Sequence, residues 1–333
     1  MAWGWLGSLR DRFRSPALDW IQVEITTRCN ARCGYCPRTA RGADWPGRDM
    51  PVELFRGLLP LLGRTRHIHL QGWGEPLLHP RFFDMVGWCR ARGLAVSTTT
   101  NGLLLDEAGL GRLVDLEVDV LGVSLAGVRP ESNDARRAGT DMERLRRSLE
   151  RLAELKARRG VERPAVHLAY MRLADGLGEL AALPELARSL GAAKLMISGP
   201  HPGATPAFAG GPDPAAVEAA CREVAARCAE LGLEAFWPAR LREITGRVCT
   251  ENPAGACVVG VDGRVSPCVF STPVLGRPEA ADLVFGDLRR TSLTGVWNAP
   301  EYARFRSLFA GRPGTAGGWP AACLGCPLRG TGA

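Results

Sequence analysis

Between residues 20 and 235, short runs of aliphatic and β-branched residues alternate with longer stretches in which apolar positions recur every three or four residues. The runs WIQVEIT (20–26), HIHLQ (67–71), LAVSTTT (94–100), VDVLGVSL (118–125), AVHLAYM (165–171) and AKLMIS (193–198) predict six strands. The clearest helical pattern runs over 141–159. Leu145, Leu149, Leu152 and Leu155 form its apolar stripe, and Thr140 and Glu143 stand at capping-box spacing. Strands and helices alternating at this spacing predict a parallel sheet, and six such units predict an α/β fold, a partial (β/α)6 TIM-type barrel. Barrels of this kind carry their chemistry in the loops that follow the carboxyl ends of the strands.

The pattern changes after about residue 200. GPHPGATPAFAGGPDP (199–214) reads as a loop and is followed by a helix from about Ala215 to Leu231. From about 236 the alternation stops. CVVGVDGRVSPC (257–268) then predicts a β-hairpin that turns at Asp262-Gly263 and sets Cys257 and Cys268 side by side. The predicted organisation is an N-terminal extension (1–19), a barrel (20–235) and a small cysteine-rich module (236–333). In the extension, Trp3, Trp5, Leu6, Leu9 and Phe13 oppose Arg10, Arg12 and Arg14, as in a short packed amphipathic helix.

Composition narrows the class. A chain of 333 residues that is 46% hydrophobic can bury one large core plus a smaller module. No stretch approaches the roughly 18 apolar residues of a membrane span, and the start lacks a secretory h-region, so a cytoplasmic protein without membrane partners is expected. The net charge of +7 comes from arginines interspersed with acidic residues. There is no basic run with interleaved aromatics, so a nucleic-acid partner is not expected. Eleven cysteines in such a chain point to metal or redox chemistry. Cys89, Cys221 and Cys228 fall in helical patterns and read as small buried hydrophobes, which leaves eight others in two groups.

The first group is CNARCGYC (29–36), three residues past the first predicted strand. Thiolates of Cys29, Cys33 and Cys36 can hold three irons of a 4Fe-4S cube and leave the fourth iron open to a chelating small molecule. A structural zinc would need a fourth ligand, and the loop has none. This spacing, with Tyr35 before the last cysteine, resembles the signature of the radical S-adenosylmethionine (SAM) enzymes. The resemblance implies that SAM chelates the open iron. An electron from a flavodoxin- or ferredoxin-type reductant then cleaves SAM to a 5′-deoxyadenosyl radical, which abstracts a substrate hydrogen. QGWGEP (71–76) is similar to the family's Gly-Gly-Glu motif with Trp73 inserted, and implies SAM contacts at Gly74 and Glu75. TTTNG (98–102) is similar to the end of the family's third strand, and Ser124, at the end of the fourth, is a further implied cofactor contact. His167 and Lys194 are expected to be structural.

The second group is Cys249, Cys257, Cys268, Cys323 and Cys326. With Gly263 and VFGDLRRTSLTGVWNAPEYARFRSLF (284–309), it resembles the SPASM/twitch extension that binds auxiliary 4Fe-4S clusters in one branch of that family. Five cysteines imply one auxiliary cluster held by Cys268, Cys323, Cys326 and either Cys257 or Cys249, with Cys257 preferred because it borders the hairpin. The spare thiol is a bystander, or else a hydrogen donor in an epimerase. A hairpin with Cys-x2-Cys also suits zinc. The resemblance implies an oxidoreductase or maturase performing oxidation, epimerisation or cross-linking. Its substrate is a small molecule, such as a sugar, aminocyclitol or cofactor precursor, or a ribosomal peptide. Modification of protein or RNA stands behind these. A non-enzymatic iron-sulfur electron-transfer protein is the rival, but it would have no use for QGWGEP.

Overall fold

The computed structural model describes residues 15–201, 204, 211–238, 249–309, 318–324, 326 and 328. The amphipathic segment around Trp3 to Arg14 and much of the 199–214 loop lie outside the described residues. All six expected strands are present: β1 (Trp20–Val23), β2 (His67–Leu70), β3 (Ala95–Thr100), β4 (Val120–Leu125), β5 (Ala165–Met171) and β6 (Ala192–Ser198). They pair in parallel in chain order, and β7 (Glu234–Phe236) extends the sheet beyond β6. The helices between them include α1 (Pro37–Arg41), α2 (Val52–Leu58), α3 (Phe82–Arg90), α4 (Glu107–Asp115), α5 (Pro130–Arg136), α6 (Met142–Arg159), α7 (Leu183–Ser189) and α8 (Pro214–Glu230).

Period-two alternation divides the sheet into two faces. Val166, Leu168 and Tyr170 of β5, with Ile21, Ile68, Val96, Leu121 and Leu195 of its neighbours, are buried in one cluster with helix residues such as Phe55, Met85, Leu113 and Leu149. Cys89, Cys221 and Cys228 are buried in this cluster too, as expected of small hydrophobes. The opposite face is polar. Gln22, His69 and Ser97 stand in register across β1 to β3, and Thr99, Gly122, His167, Lys194 and Glu234 across β3 to β7. Here His69 Nδ1 lies 2.6 Å from Ser97 Oγ and Lys194 pairs with Glu234 at 2.8 Å. Lys194 therefore has a structural partner on the inner face.

The start of α6 differs from expectation. Its N-cap is Asp141, whose carboxylate accepts from Arg144 N at 2.8 Å, while Thr140 is turned back to the Arg137 carbonyl oxygen. A carboxylate at the N-cap satisfies an orphan amide and complements the helix dipole, so it outcompetes the neighbouring threonine.

The predicted hairpin forms from β8 (Ala256–Val259) and β9 (Arg264–Ser266), with β10 (Gly286–Asp287) added at the edge. It is continuous with the barrel sheet. Strand β8 pairs in parallel with β1, and Ile21 faces Cys257. Over its outer face lie α9 (Leu293–Asn298) and α10 (Pro300–Ser307), where Phe285 stacks on Tyr302 at 4.3 Å and Arg306 lies over the Trp297 ring. No helix among the described residues is long and apolar enough to cross a membrane.

Candidate functional site

The first cysteine loop leaves the carboxyl end of β1 and is fastened at its base. Met50 N donates to Ile25 O (2.8 Å), Thr26 Oγ1 to Asp49 Oδ1 (2.7 Å) and Trp45 Nε1 to Thr27 O (3.0 Å). Inside this closed loop, Cys36 N donates to Cys33 O and Cys36 precedes the first turn of α1. Cys33 pairs with Arg137 in a two-residue antiparallel ladder, and Gly34 N donates to Arg136 O. Sequence neighbours in the loop are thereby pinned to a segment a hundred residues away. All three thiols are half-buried. Burial pushes Cys36 up to about 11 and raises Cys29, and each feels the Cys33 thiol as a like charge. Thiols in such a setting ionise when a metal takes the proton's place. Among the described residues, no three Cys, His, Asp or Glu side chains converge closely enough to hold a single ion. Three thiolates on one loop suit a multi-iron cluster, in which each binds a separate iron.

QGWGEP crosses the same end of the barrel. A Cβ on Gly74 would lie 2.3 Å from Thr26 O, and one on Gly72 would lie 2.2 Å from Glu24 Cγ, so both positions need glycine for close approach. Glu75 is buried. Its carboxylate accepts from Thr100 Oγ1 (2.8 Å), Asn101 N (2.7 Å) and Leu77 N (3.3 Å), which ties this loop to the end of β3. Burial nonetheless raises its pKa. Glu75 thus organises the site through its carboxylate, and Gly74 lets the loop pass close to the Thr26 and Arg28 carbonyls. Asn101, from TTTNG, reaches Cys29 Sγ at 3.8 Å and Asn30 Oδ1 at 2.8 Å.

Two residues here escaped the sequence reading. Arg137 is 4% exposed; Nη1 donates to Tyr35 Oη at 2.8 Å, and its buried Nε has no hydrogen-bond partner. Nothing in its sequence surroundings signals this, since only the ladder with Cys33 brings it to the cysteines. Glu24, buried at the end of β1, accepts from Trp73 N (2.8 Å) and Val261 N (3.5 Å), and burial lifts its pKa to about 7. Its position five residues before Cys29 was visible, but a lone glutamate there carries no motif. Ser124 is half-buried on the polar inner face of β4, opposite Ala169.

The C-terminal cysteines separate by environment. Cys249 feels Cys268 and Cys326 as like charges, and Cys268 feels Cys323 and Cys326. The half-buried Glu251, whose carboxyl is raised to about 7 by desolvation, stands beside Cys249 and Cys268 and accepts from the Val269 amide. Cys257 is elsewhere. It is fully buried on the outer face of β8, in the hydrophobic core, with Arg306 as the charge that most affects it. These environments favour Cys249 over Cys257 as the thiol beside Cys268 and Cys326. The physical reason is pleat. Cys257 shares the register and face of Ile21, and the hairpin separates it from Cys268 rather than setting the two side by side.

A radical SAM superfamily model matches residues 23–166, and a model of the iron-sulfur cluster-binding domain SPASM matches residues 249–327. The tungsten-containing aldehyde ferredoxin oxidoreductase cofactor-modifying protein of Pyrococcus furiosus is 28% identical over 334 residues, covering 94% of this chain and 88% of its own. Among solved structures, Streptococcus suis SuiB bound to S-adenosylmethionine matches with a TM-score of 0.69 at 14% identity, over 97% of this chain and 74% of that one. BtrN in complex with AdoMet and 2-DOIA matches with a TM-score of 0.55 at 18% identity, over 93% and 92%. At these identities the two structures show the shared fold. The two family models lie on the barrel and on the cysteine-rich C-terminal segment, and the chain belongs to the radical SAM superfamily, in its SPASM-containing branch, as an enzyme that uses a 4Fe-4S cluster and SAM.

Proposed function

We propose that the protein is a two-cluster radical SAM oxidoreductase that matures a compact biosynthetic molecule, a cofactor precursor, by net oxidation. Cys29, Cys33 and Cys36 would hold the SAM-binding cluster, and Cys249, Cys268, Cys323 and Cys326 an auxiliary one. When bound, these groups supply a 5′-deoxyadenosyl radical and a one-electron acceptor. The chain's own residues do the rest. Asn101 steadies Cys29, Glu75 locks the glycine loop to β3, and Arg137 offers its buried guanidinium to the carboxylate of SAM beside Tyr35. Gly74 and Ser124 contribute backbone and hydroxyl contacts from neighbouring strand ends. The polar inner face of the sheet receives the substrate. The segments 1–19, 20–235 and 236–333 act as extension, radical-generating barrel and auxiliary module.

The observation that carries the substrate reading is the near full-length similarity to a cofactor-modifying protein. A ribosomal peptide has no comparable support. The test begins with iron and sulfide content after anaerobic reconstitution. Two clusters give about eight irons in the wild type and about four when Cys29, Cys33 and Cys36 are all replaced by Ala. Reduced enzyme with SAM should then release 5′-deoxyadenosine, and the triple variant should not. Incubation with a small-molecule extract should yield a product lighter by two hydrogens. A product of unchanged mass in ordinary water that carries solvent deuterium when formed in D2O would replace oxidation with epimerisation.

A further inference from the structure

Trp73, the residue inserted in the glycine motif, does more than pass its backbone over Glu24. Its ring meets Phe270 edge to face, with centroids 5.7 Å apart and planes at 75°, and its Nε1 donates toward Val269 O (3.4 Å) and Thr272 Oγ1 (3.3 Å). Phe270 also meets the buried His201, stacked at 4.4 Å and 19°. Phe270 is thus held between the loop after β2 and the segment after β6. On a flat sheet, strands four positions apart would be roughly 19 Å from one another. Here a single phenyl ring spans the gap, with Trp73 and His201 within about 10 Å through it. The sheet is curled, and Phe270 lies across its carboxyl-end mouth. Phe270 is also two residues past Cys268, on a turn closed by Ser271 N to Cys268 O and Thr272 N to Val269 O.

We infer that Phe270 closes the mouth of the barrel over the substrate space and that Trp73 is the positioning residue that holds it there. The inference rests on the reading of the two cysteine groups as cluster sites on either side of that space. Its consequence is coupling. With the turn seated, a radical formed at the first cysteine loop is shielded from solvent. A second consequence is that the auxiliary cysteine turn keeps a fixed place relative to the first loop. An aromatic residue in the glycine motif and an aromatic two residues past the hairpin cysteine would serve each other, which accounts for the departure of QGWGEP from two adjacent glycines.

The test uses Trp73→Ala, Phe270→Ala, His201→Ala and the conservative Trp73→Phe. In the metal-free chain, amide hydrogen exchange at 269–272 should speed up about two- to tenfold in the three alanine variants, the range that an aromatic pair's contribution converts to. It should stay near the wild-type rate in Trp73→Phe. In the reconstituted enzyme, the alanine variants should keep their iron yet form 5′-deoxyadenosine faster without substrate. Unchanged exchange at 269–272 in the Trp73 and Phe270 alanine variants would overturn the clamp. Faster exchange with unchanged substrate-free turnover would overturn closure of the mouth. If the wild type itself forms no 5′-deoxyadenosine, the functional reading fails, and the exchange rates still decide the clamp.

Discussion

At the scale of single residues, two buried ionisable groups mark the site. Arg137 has a donor nitrogen, Nε, that is buried without a partner, and a guanidinium in that position recovers its lost hydration from a hydrogen-bond acceptor, most strongly from an anion. Replacing it by Ala should weaken SAM binding to the reconstituted enzyme roughly ten- to a hundredfold, the range of a charge-assisted hydrogen bond, with iron content unchanged. Equilibrium dialysis measures the first and colorimetric iron the second. Glu24 makes a pH prediction. Its folded pKa of about 7 lies above the ordinary 4.5, so the fold binds its proton more tightly than the unfolded chain does. The stability this adds is fully present below pH 4.5 and is lost as pH rises through about 7. Compared with Glu24→Gln, the metal-free wild type should therefore lose melting temperature between pH 5 and pH 8. Parallel melting curves for the two proteins would refute a buried, protonated Glu24.

At the scale of elements, backbone approach governs which glycines matter. Gly74 sits with Thr26 O and Arg28 O inside the radius a methyl group needs, whereas a Cβ on Gly34 would meet nothing nearer than 3.9 Å. Gly74→Ala should cost about 3 kcal/mol or more, at or above the upper end of overpacking, because the atoms it strikes are backbone. Gly34→Ala should stay within about 0.5 kcal/mol. Urea unfolding of the two variants decides the matter. Strand positions were legible in the sequence to within a few residues, since each is a short aliphatic or β-branched run bounded by helical patterns or turns. The cap of α6 was not, because Thr140 and Asp141 are both competent caps and only the local path of the chain, with Thr140 turned back to Arg137, selects one.

At the scale of the whole molecule, the hairpin is the decisive feature. By pairing with β1 it extends the barrel sheet and sets Cys257 against Ile21. Cys249→Ala should lose the auxiliary iron, about half of the total, while Cys257→Ala should keep it and lose only core stability. The opposite pattern in iron analysis would return Cys257 to the ligand set. The same pairing sets Val261 N against Glu24, and the turn past Cys268 meets Trp73, so the auxiliary module and the glycine loop share contacts through single residues.

The class of chemistry was legible in local spacing. Three cysteines at fixed spacing after a strand, a glycine motif after the next strand and a cysteine-rich tail are local facts, and local spacing survives translation into structure unchanged. Tertiary structure decided the partnerships. Whether Cys249 or Cys257 joins the second group, whether Arg137 reaches the first, and what Trp73 is inserted for all depend on residues tens to hundreds of positions apart. Pleat, register and sheet curvature place them, and a one-residue change of register would have sent each side chain to the other face.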